Sequence, residues 1–242
     1  RFFEVFGELP FLFLVVFASL ILYKTVVKEN KFKDNFLKGL YLFFIIIFSL
    51  ISGTMVWVYI GDNLGYKPSL LIIAIVVGVL ILFSNFLYKK IPEKKKKDAI
   101  RYAFIAIIYF LAVIFVMNLL KTVWGRLRLR EMTDILNEFT PWYQRNFRGN
   151  FSNKFASFPS GHTMNSTGII LISLLPSFIP KLKGKEKHLR FFAYFWGLNV
   201  GLSRIIVGAH FASDIIAGFM LSILLFNLTV HFMGKFFSKK VI

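Results

Sequence analysis

The sequence predicts an all-α polytopic membrane bundle of six to seven helices, on three observations. Hydrophobic residues make up 57% of the 242 positions, and the mean hydropathy of +0.66 lies well above that of a water-soluble domain. The apolar residues fall into separate runs of about membrane-span length. Basic residues collect on alternate connections between those runs, the pattern by which a polytopic chain sets its orientation.

The runs lie at about 9–27, 40–60, 69–88, 102–121, 162–179, 191–208 and 212–233. The fifth and sixth are short and the first is closely flanked by charge. Six spans with one interfacial helix therefore satisfy the same hydropathy. Glu4 and Glu8 precede the first run while Lys24 and Lys28 follow it. That reverses the charge order of a signal peptide, so no removable targeting segment is expected. The segments 28–39, 89–101, 180–190 and the tail after 233 carry most of the lysine and arginine, including the Lys94–Lys97 run. The positive-inside rule assigns them to the cytoplasm and reads the run as a topology signal or a contact to acidic lipid. The connections 61–68, 122–160 and 203–213 then share the outer face. The whole chain, 1–242, reads as one domain without internal repeat or linker.

Thirty Lys and Arg against twelve Asp and Glu give a net charge of +18. In a chain this apolar, the charge points to an anionic membrane surface and membrane lipids, with no nucleic acid and no protein partner implied. Cysteine is absent, which excludes disulfides, thiol chemistry and cysteine-ligated metal. No His/Asp/Glu cluster has ligand spacing, so neither a metal nor any other cofactor is expected. Phe139, Trp142, Tyr143, Phe147, Phe151, Phe155 and Phe158, interleaved with Arg145, Arg148 and Lys154, give the 131–158 stretch the composition of a segment touching headgroups.

An ionised side chain at mid-membrane costs about 2.5–3.5 kcal/mol, so charges in apolar runs usually face a polar cavity. By this criterion Asp214 stands out as the one carboxylate at the start of an apolar run without a basic cluster nearby. It follows His210 by four residues. On a helix that spacing puts both on one face, where the carboxylate can take the Nδ1 proton and leave Nε2 as nucleophile or base; the plainer reading is a helix-start aspartate beside an interfacial histidine. Ser203 and Arg204 precede His210, and an arginine there alone would be a snorkelling anchor. Lys121, Arg126, Arg128 and Arg130 stand on the predicted outer face, against the positive-inside trend. Several cationic forks at one point suit a phosphate. Phe158-Pro159-Ser160-Gly161-His162 joins a polar loop to an apolar helix. It aims first-turn amides, the positive end of a helix dipole and an imidazole at one place, and is equally an ordinary helix cap. His188 and His231 read as solvated or interfacial.

Lys121 x6 Arg128, then Pro159-Ser160-Gly161-His162, then Ser203-Arg204 x5 His210 x3 Asp214 resembles, in order and spacing, the three motifs of the type 2 phosphatidic acid phosphatase superfamily. The resemblance covers about 121–214. Arg128 is followed by Leu129 where the family pattern has proline; Arg126 and Arg130 are alternatives for the phosphate contact, and the spacing from Lys121 favours Arg128. The resemblance implies a single integral-membrane phosphatase domain with His210 as nucleophile forming a phosphohistidine, and Asp214 orienting it. It further implies His162 as the acid and base, and Lys121, Arg128, Ser160, Gly161 and Arg204 as the phosphate cradle, without metal. The implied substrate is a lipid phosphate, such as phosphatidylglycerol phosphate, undecaprenyl diphosphate, the phosphate of lipid A or phosphatidic acid. The implied setting is the outer face of a bacterial inner membrane. A phosphotransferase using the same site, a non-enzymatic lipid-binding or transport protein and, more remotely, a vanadium haloperoxidase are the alternatives.

Overall fold

The structure, a computed structural model, describes residues 2–26, 30–65, 68–145 and 152–239. Lys28, Phe147, Arg148, Phe151 and Lys240 lie outside the described residues, as do the side chains of Glu4 and Lys239. Among the described residues there is helix and no strand. The main segments are α1 (Leu9–Thr25), α2 (Lys31–Leu64), α3 (Leu71–Lys89), α4 (Lys96–Trp124), α5 (Gly161–Thr167, continuing as 3-10 helix over Gly168–Ser177), α6 (Glu186–Ile206) and α7 (Ala212–Lys239).

Two helices begin well before their apolar runs. The Asn30 side chain accepts the amides of Phe32 and Lys33, and Asp34 reaches back to the Asn30 amide at 2.8 Å. This reciprocal cap starts α2 inside what reads as a basic connection. Lysine is a good helix former, so α4 likewise starts within the Lys94–Lys97 run. By length and composition α2, α3, α4 and α7 are able to cross a bilayer. The other apolar runs lie in α1, at 17 residues a shorter apolar helix, in the mixed segment 161–177, and in α6 with its charged first turns.

An interfacial helix would keep one polar face toward headgroups. Instead α1 is covered on all sides, with Val15, Val16, Ala18 and Ile21 fully buried, and it packs against α2, α3 and α4 at the centre of the bundle. Phe17, Tyr102 and Phe178 meet around it in tilted ring contacts. The outer surface reverses the water-soluble pattern: Leu71, Ile75, Val79, Leu82 and Phe86 of α3 and Ile216, Met220 and Leu224 of α7 are exposed, while Ser49, Ser52, Ser84 and Ser222 are buried. In lipid this costs nothing, because association between spanning helices rests on close packing and interhelical hydrogen bonds. One such network joins three helices. Tyr109 Oη of α4 lies 2.6 Å from Ser222 Oγ of α7, which donates to the Met164 carbonyl of α5 at 2.8 Å.

After one α-helical stretch, residues 168–177 wind as 3-10 helix. At about 2.0 Å rise per residue against about 1.5 Å for α, the 161–177 segment spans about 30 Å, close to a hydrocarbon core. α4, α5, α6 and α7 pack on one another and present their connected ends to the site.

Candidate active site

Lys121 stands in the last turn of α4, which ends at Gly125. The chain that follows is laced to the chain before α5: the Ser157 amide donates to the Arg126 carbonyl and the Arg128 amide to the Lys154 carbonyl, both at 3.0 Å. Trp124 stacks on Phe158 with ring centroids 5.0 Å apart. The Phe158–Pro159 bond is cis. The Ser160 amide donates to the Asp214 carbonyl at 2.9 Å, and the Arg130 amide to that of Gly208. Backbone pairing alone therefore brings the three motifs to one end of the bundle.

Ser160 is fully buried and caps α5, its Oγ accepting from the Thr163 amide and hydroxyl. The capping reading of this stretch thus describes its side chain, while the first-turn amides beyond it, beginning with Gly161, are those a helix leaves without intrahelical carbonyls. Two glycines make close contacts here, and at Gly218 the contact is with backbone. A Cβ on Gly161 would come within 3.1 Å of Lys121 Nζ and 2.8 Å of Met117 Sδ, and one on Gly218 would stand 2.6 Å from the Ser160 carbonyl oxygen. The first puts the Lys121 ammonium against the start of α5; the second lets α7 lie directly on the motif backbone.

His210 and Asp214 do not share a helix face. His210 sits in the turn before α7, where its amide and that of Ala209 close on the Arg204 carbonyl, and Asp214 lies in the first helical turn. The imidazole Nδ1 is 3.7 Å from Asp214 Oδ2, an ion-pair separation longer than a hydrogen bond, with His210 1% and Asp214 0% exposed. Burial lowers the His210 pKa below the ordinary imidazole range. The Asp214 carboxylate opposes that shift, and the charges of Arg128 and Lys121 add to it. Burial thus works against a charge on the ring.

Arg126, left open in sequence as a phosphate ligand, belongs to Asp214. Its Nη1 meets Oδ1 at 2.5 Å and Ser213 Oγ at 2.8 Å, and its guanidinium lies 4.1 Å over the Phe211 ring. The second carboxylate oxygen accepts from Ser157 Oγ at 2.6 Å and from the Phe211 amide at 3.0 Å. Arg130 pairs with Glu131 and is partly exposed. Arg128 is buried, donating to Asn153 at 2.9 Å, and Arg204 is buried at 1% exposure. Lys121, Arg128, Arg204 and His210 all lie within electrostatic range of His162. Of the three arginines after Lys121, Arg128 is thus the one grouped with both histidines. Of the remaining histidines, His188 and His231 are exposed. In the aromatic loop Phe139, Trp142 and Tyr143 are exposed, whereas Phe158 is buried.

A family model described as the PAP2 superfamily matches residues 101–238. The chain belongs to this superfamily. It is also 31% identical over 125 residues to phosphatidylglycerophosphatase B of Bacillus subtilis (strain 168), a stretch covering 51% of this chain and 58% of that protein. The chain thus matches rather more than half the length of that curated relative. No solved structure matches it.

Three residues of this PAP2 superfamily site escape the motif reading. Ser157 lies in a loop whose composition looks interfacial, and Arg126 is one cation among several; only the fold singles them out. Glu8 carried a readable signal: like Asp214 it begins an apolar run without a basic cluster nearby, so Asp214 is not alone in that respect. Glu8 Oε1 lies 3.7 Å from His162 Nε2, and Oε2 accepts from Asn165 Nδ2 at 2.8 Å. Burial pushes its carboxyl up to about 7, against the lowering effects of Asn165, Lys121 and Arg204.

Proposed function

We propose that the chain is a lipid phosphatase, hydrolysing a phosphomonoester or diphosphate on a lipid headgroup at the outer face of a bacterial cytoplasmic membrane. The observation that carries the reading is the buried His210, with Nδ1 toward an Asp214 that is hydrogen-bonded by Arg126, Ser157 and the Phe211 amide, beside Lys121, Arg128 and Arg204. In this reading Nε2 of His210 attacks phosphorus in line, the P–O bond to the lipid breaks, and a phosphohistidine forms. Asp214 stabilises the imidazolium character that develops. Lys121, Arg128, Arg204 and the amide of Gly161 hold the equatorial oxygens, with Ser160 fixing that amide in place. Three cations supply the charge stabilisation that a metal gives elsewhere. His162 protonates the leaving oxygen and then takes a proton from water.

The exposed apolar girdle supports an approach of substrate from the bilayer, with six to seven spans in one membrane domain and the basic connections on the cytoplasmic side. The PAP2 superfamily membership and the phosphatidylglycerophosphatase name of the Bacillus relative favour phosphatidylglycerol phosphate among the lipid phosphates. The test is phosphate release from a panel of lipid mono- and diphosphates in detergent with EDTA present. The wild type is expected to release phosphate and His210→Ala to release none. No release from any lipid, or His210→Ala as active as wild type, overturns the reading.

A further inference from the structure

The two histidines are each faced by one carboxylate at the same separation, and the two carboxylates differ in what holds them. Asp214 takes hydrogen bonds from an arginine, a hydroxyl and an amide, which hold it in place. Glu8 has Asn165 as its hydrogen-bonded partner at 2.8 Å and His162 at 3.7 Å, and its side chain is only 13% exposed. It stands at the N-terminal end of α1, whose buried length fixes it in the bundle, and the preceding Gly7 carbonyl is tied to Trp196 of α6 at 2.9 Å. His162, at 27% side-chain exposure, is the more open of the two rings.

We propose that Glu8 is the positioning residue of His162, and that the pair shares one proton that is passed through the ring to the leaving oxygen and taken back from water. The proposal rests on the lipid phosphatase reading. With Glu8 protonated, its O–H faces Nε2 and the ring carries its own hydrogen on Nδ1. As the Nε2–P bond to His210 forms and the P–O bond to the lipid breaks, the Nδ1 hydrogen goes to the departing oxygen and the Glu8 proton moves to Nε2. In the second half, water gives a proton to Nδ1 while its oxygen bonds phosphorus, Nε2–H returns its proton to the Glu8 carboxylate, and His210 is released with inorganic phosphate. Each cycle restores Glu8–H. The groups that face this pair are Asn165 on α5, Lys121 on α4 and Arg204 on α6, with Arg128 and His210 also acting on His162. Such pairs titrate as a unit, and a carboxyl close to neutrality is what a returnable proton needs.

The test compares two amphiphiles with matched tails, dodecyl phosphate and 4-dodecyl-2-nitrophenyl phosphate, whose leaving oxygens need and do not need a proton. The ratio of the two kcat/KM values does not depend on how much of a preparation is folded. In Glu8→Gln the amide keeps the bond from Asn165 but has no proton to give. Its alkyl-to-aryl ratio is expected to fall about 30-fold or more, within the range general acids contribute, and His162→Ala to give the same pattern. The double variant should match His162→Ala, because Glu8 acts through that ring. An unchanged ratio in Glu8→Gln while His162→Ala lowers it, or losses that multiply in the double variant, overturns the role of Glu8 alone. An unchanged ratio in both variants removes the acid assignment and Glu8 with it. Activity retained in His210→Ala, or a wild type that hydrolyses neither compound, removes the phosphatase mechanism beneath.

Discussion

Replacing Arg126 by methionine tests whether this arginine serves Asp214 or the substrate. At an Nη1–Oδ1 distance of 2.5 Å and an effective dielectric of about 20, the Coulomb attraction is about 6–7 kcal/mol before desolvation. Both side chains are almost wholly buried, at 2% and 0% exposure, so desolvation cancels much of this. What matters is the asymmetry: removing one partner of a buried pair costs about 3–5 kcal/mol, whereas replacing both with uncharged groups is often near neutral. Arg126→Met should therefore lower the unfolding free energy by about 3–5 kcal/mol, because Ser157 and the Phe211 amide are left to hold the buried carboxylate. The misaligned Asp214 should also cost His210 about 100-fold in rate. Adding Asp214→Asn should recover at least about 2 kcal/mol of that stability, a coupling visible in a double-mutant cycle, while activity stays low. Denaturant titration in detergent and phosphate release give the two readouts. A single variant of wild-type stability with a raised KM, or two losses that simply add, would place Arg126 on the substrate and refute the assignment.

Ser157→Ala removes the 2.6 Å bond to Asp214 Oδ2, and a hydrogen bond to a charged group of this kind is worth about 1.5–3 kcal/mol; a thermal-shift measurement should show that loss together with about a tenfold lower rate. Gly218→Ala puts a methyl group 2.6 Å from the Ser160 carbonyl oxygen. The backbone must give way, at about 1–3 kcal/mol, so activity should fall by more than stability, and a fully active variant would mean that α7 does not set the motif position. Glu8 gives a pH signature with a definite sign. Its carboxyl is raised from 4.5 to about 7 in the folded protein, so the folded state holds the proton more tightly. The contribution is full below 4.5 and is lost as pH rises through 7, amounting to about 3 kcal/mol. The stability of the wild type should therefore match that of Glu8→Gln on the acid side and fall below it as pH rises from 5 to 8, and curves that stay parallel over this range would refute the shift.

Most of the helical frame was legible in the sequence because hydropathy reports it directly, and the four helices able to cross a bilayer lie on four of the seven apolar runs. The apolar runs do not reveal that two helices start as early as Lys31 and Lys96, where capping and the helix propensity of lysine carry the helix into its basic flank. The pairing of His210 with Asp214 was anticipated from an i, i+4 spacing, but its cause is different: a turn closed on the Arg204 carbonyl delivers the ring to a first-turn carboxylate. Spacing registers that two residues are near, not which backbone brings them together. Arg126, Ser157 and Glu8 could not be ranked in the same way, since each reaches the site across a long stretch of chain. Their partners lie 88, 57 and 157 residues away. For Glu8 the isolated carboxylate beside an apolar run was the available sign.

The 3-10 stretch below His162 bears on how deep in the bilayer the reaction takes place. Over the ten residues Gly168–Ser177, winding at about 2.0 Å rather than about 1.5 Å per residue lifts the ring by about 5 Å. That is more than the reach of a hydrogen bond. On the lipid phosphatase reading, a shift of this size along the bundle axis sets whether a lipid with its tails in the membrane reaches the ring without being drawn out.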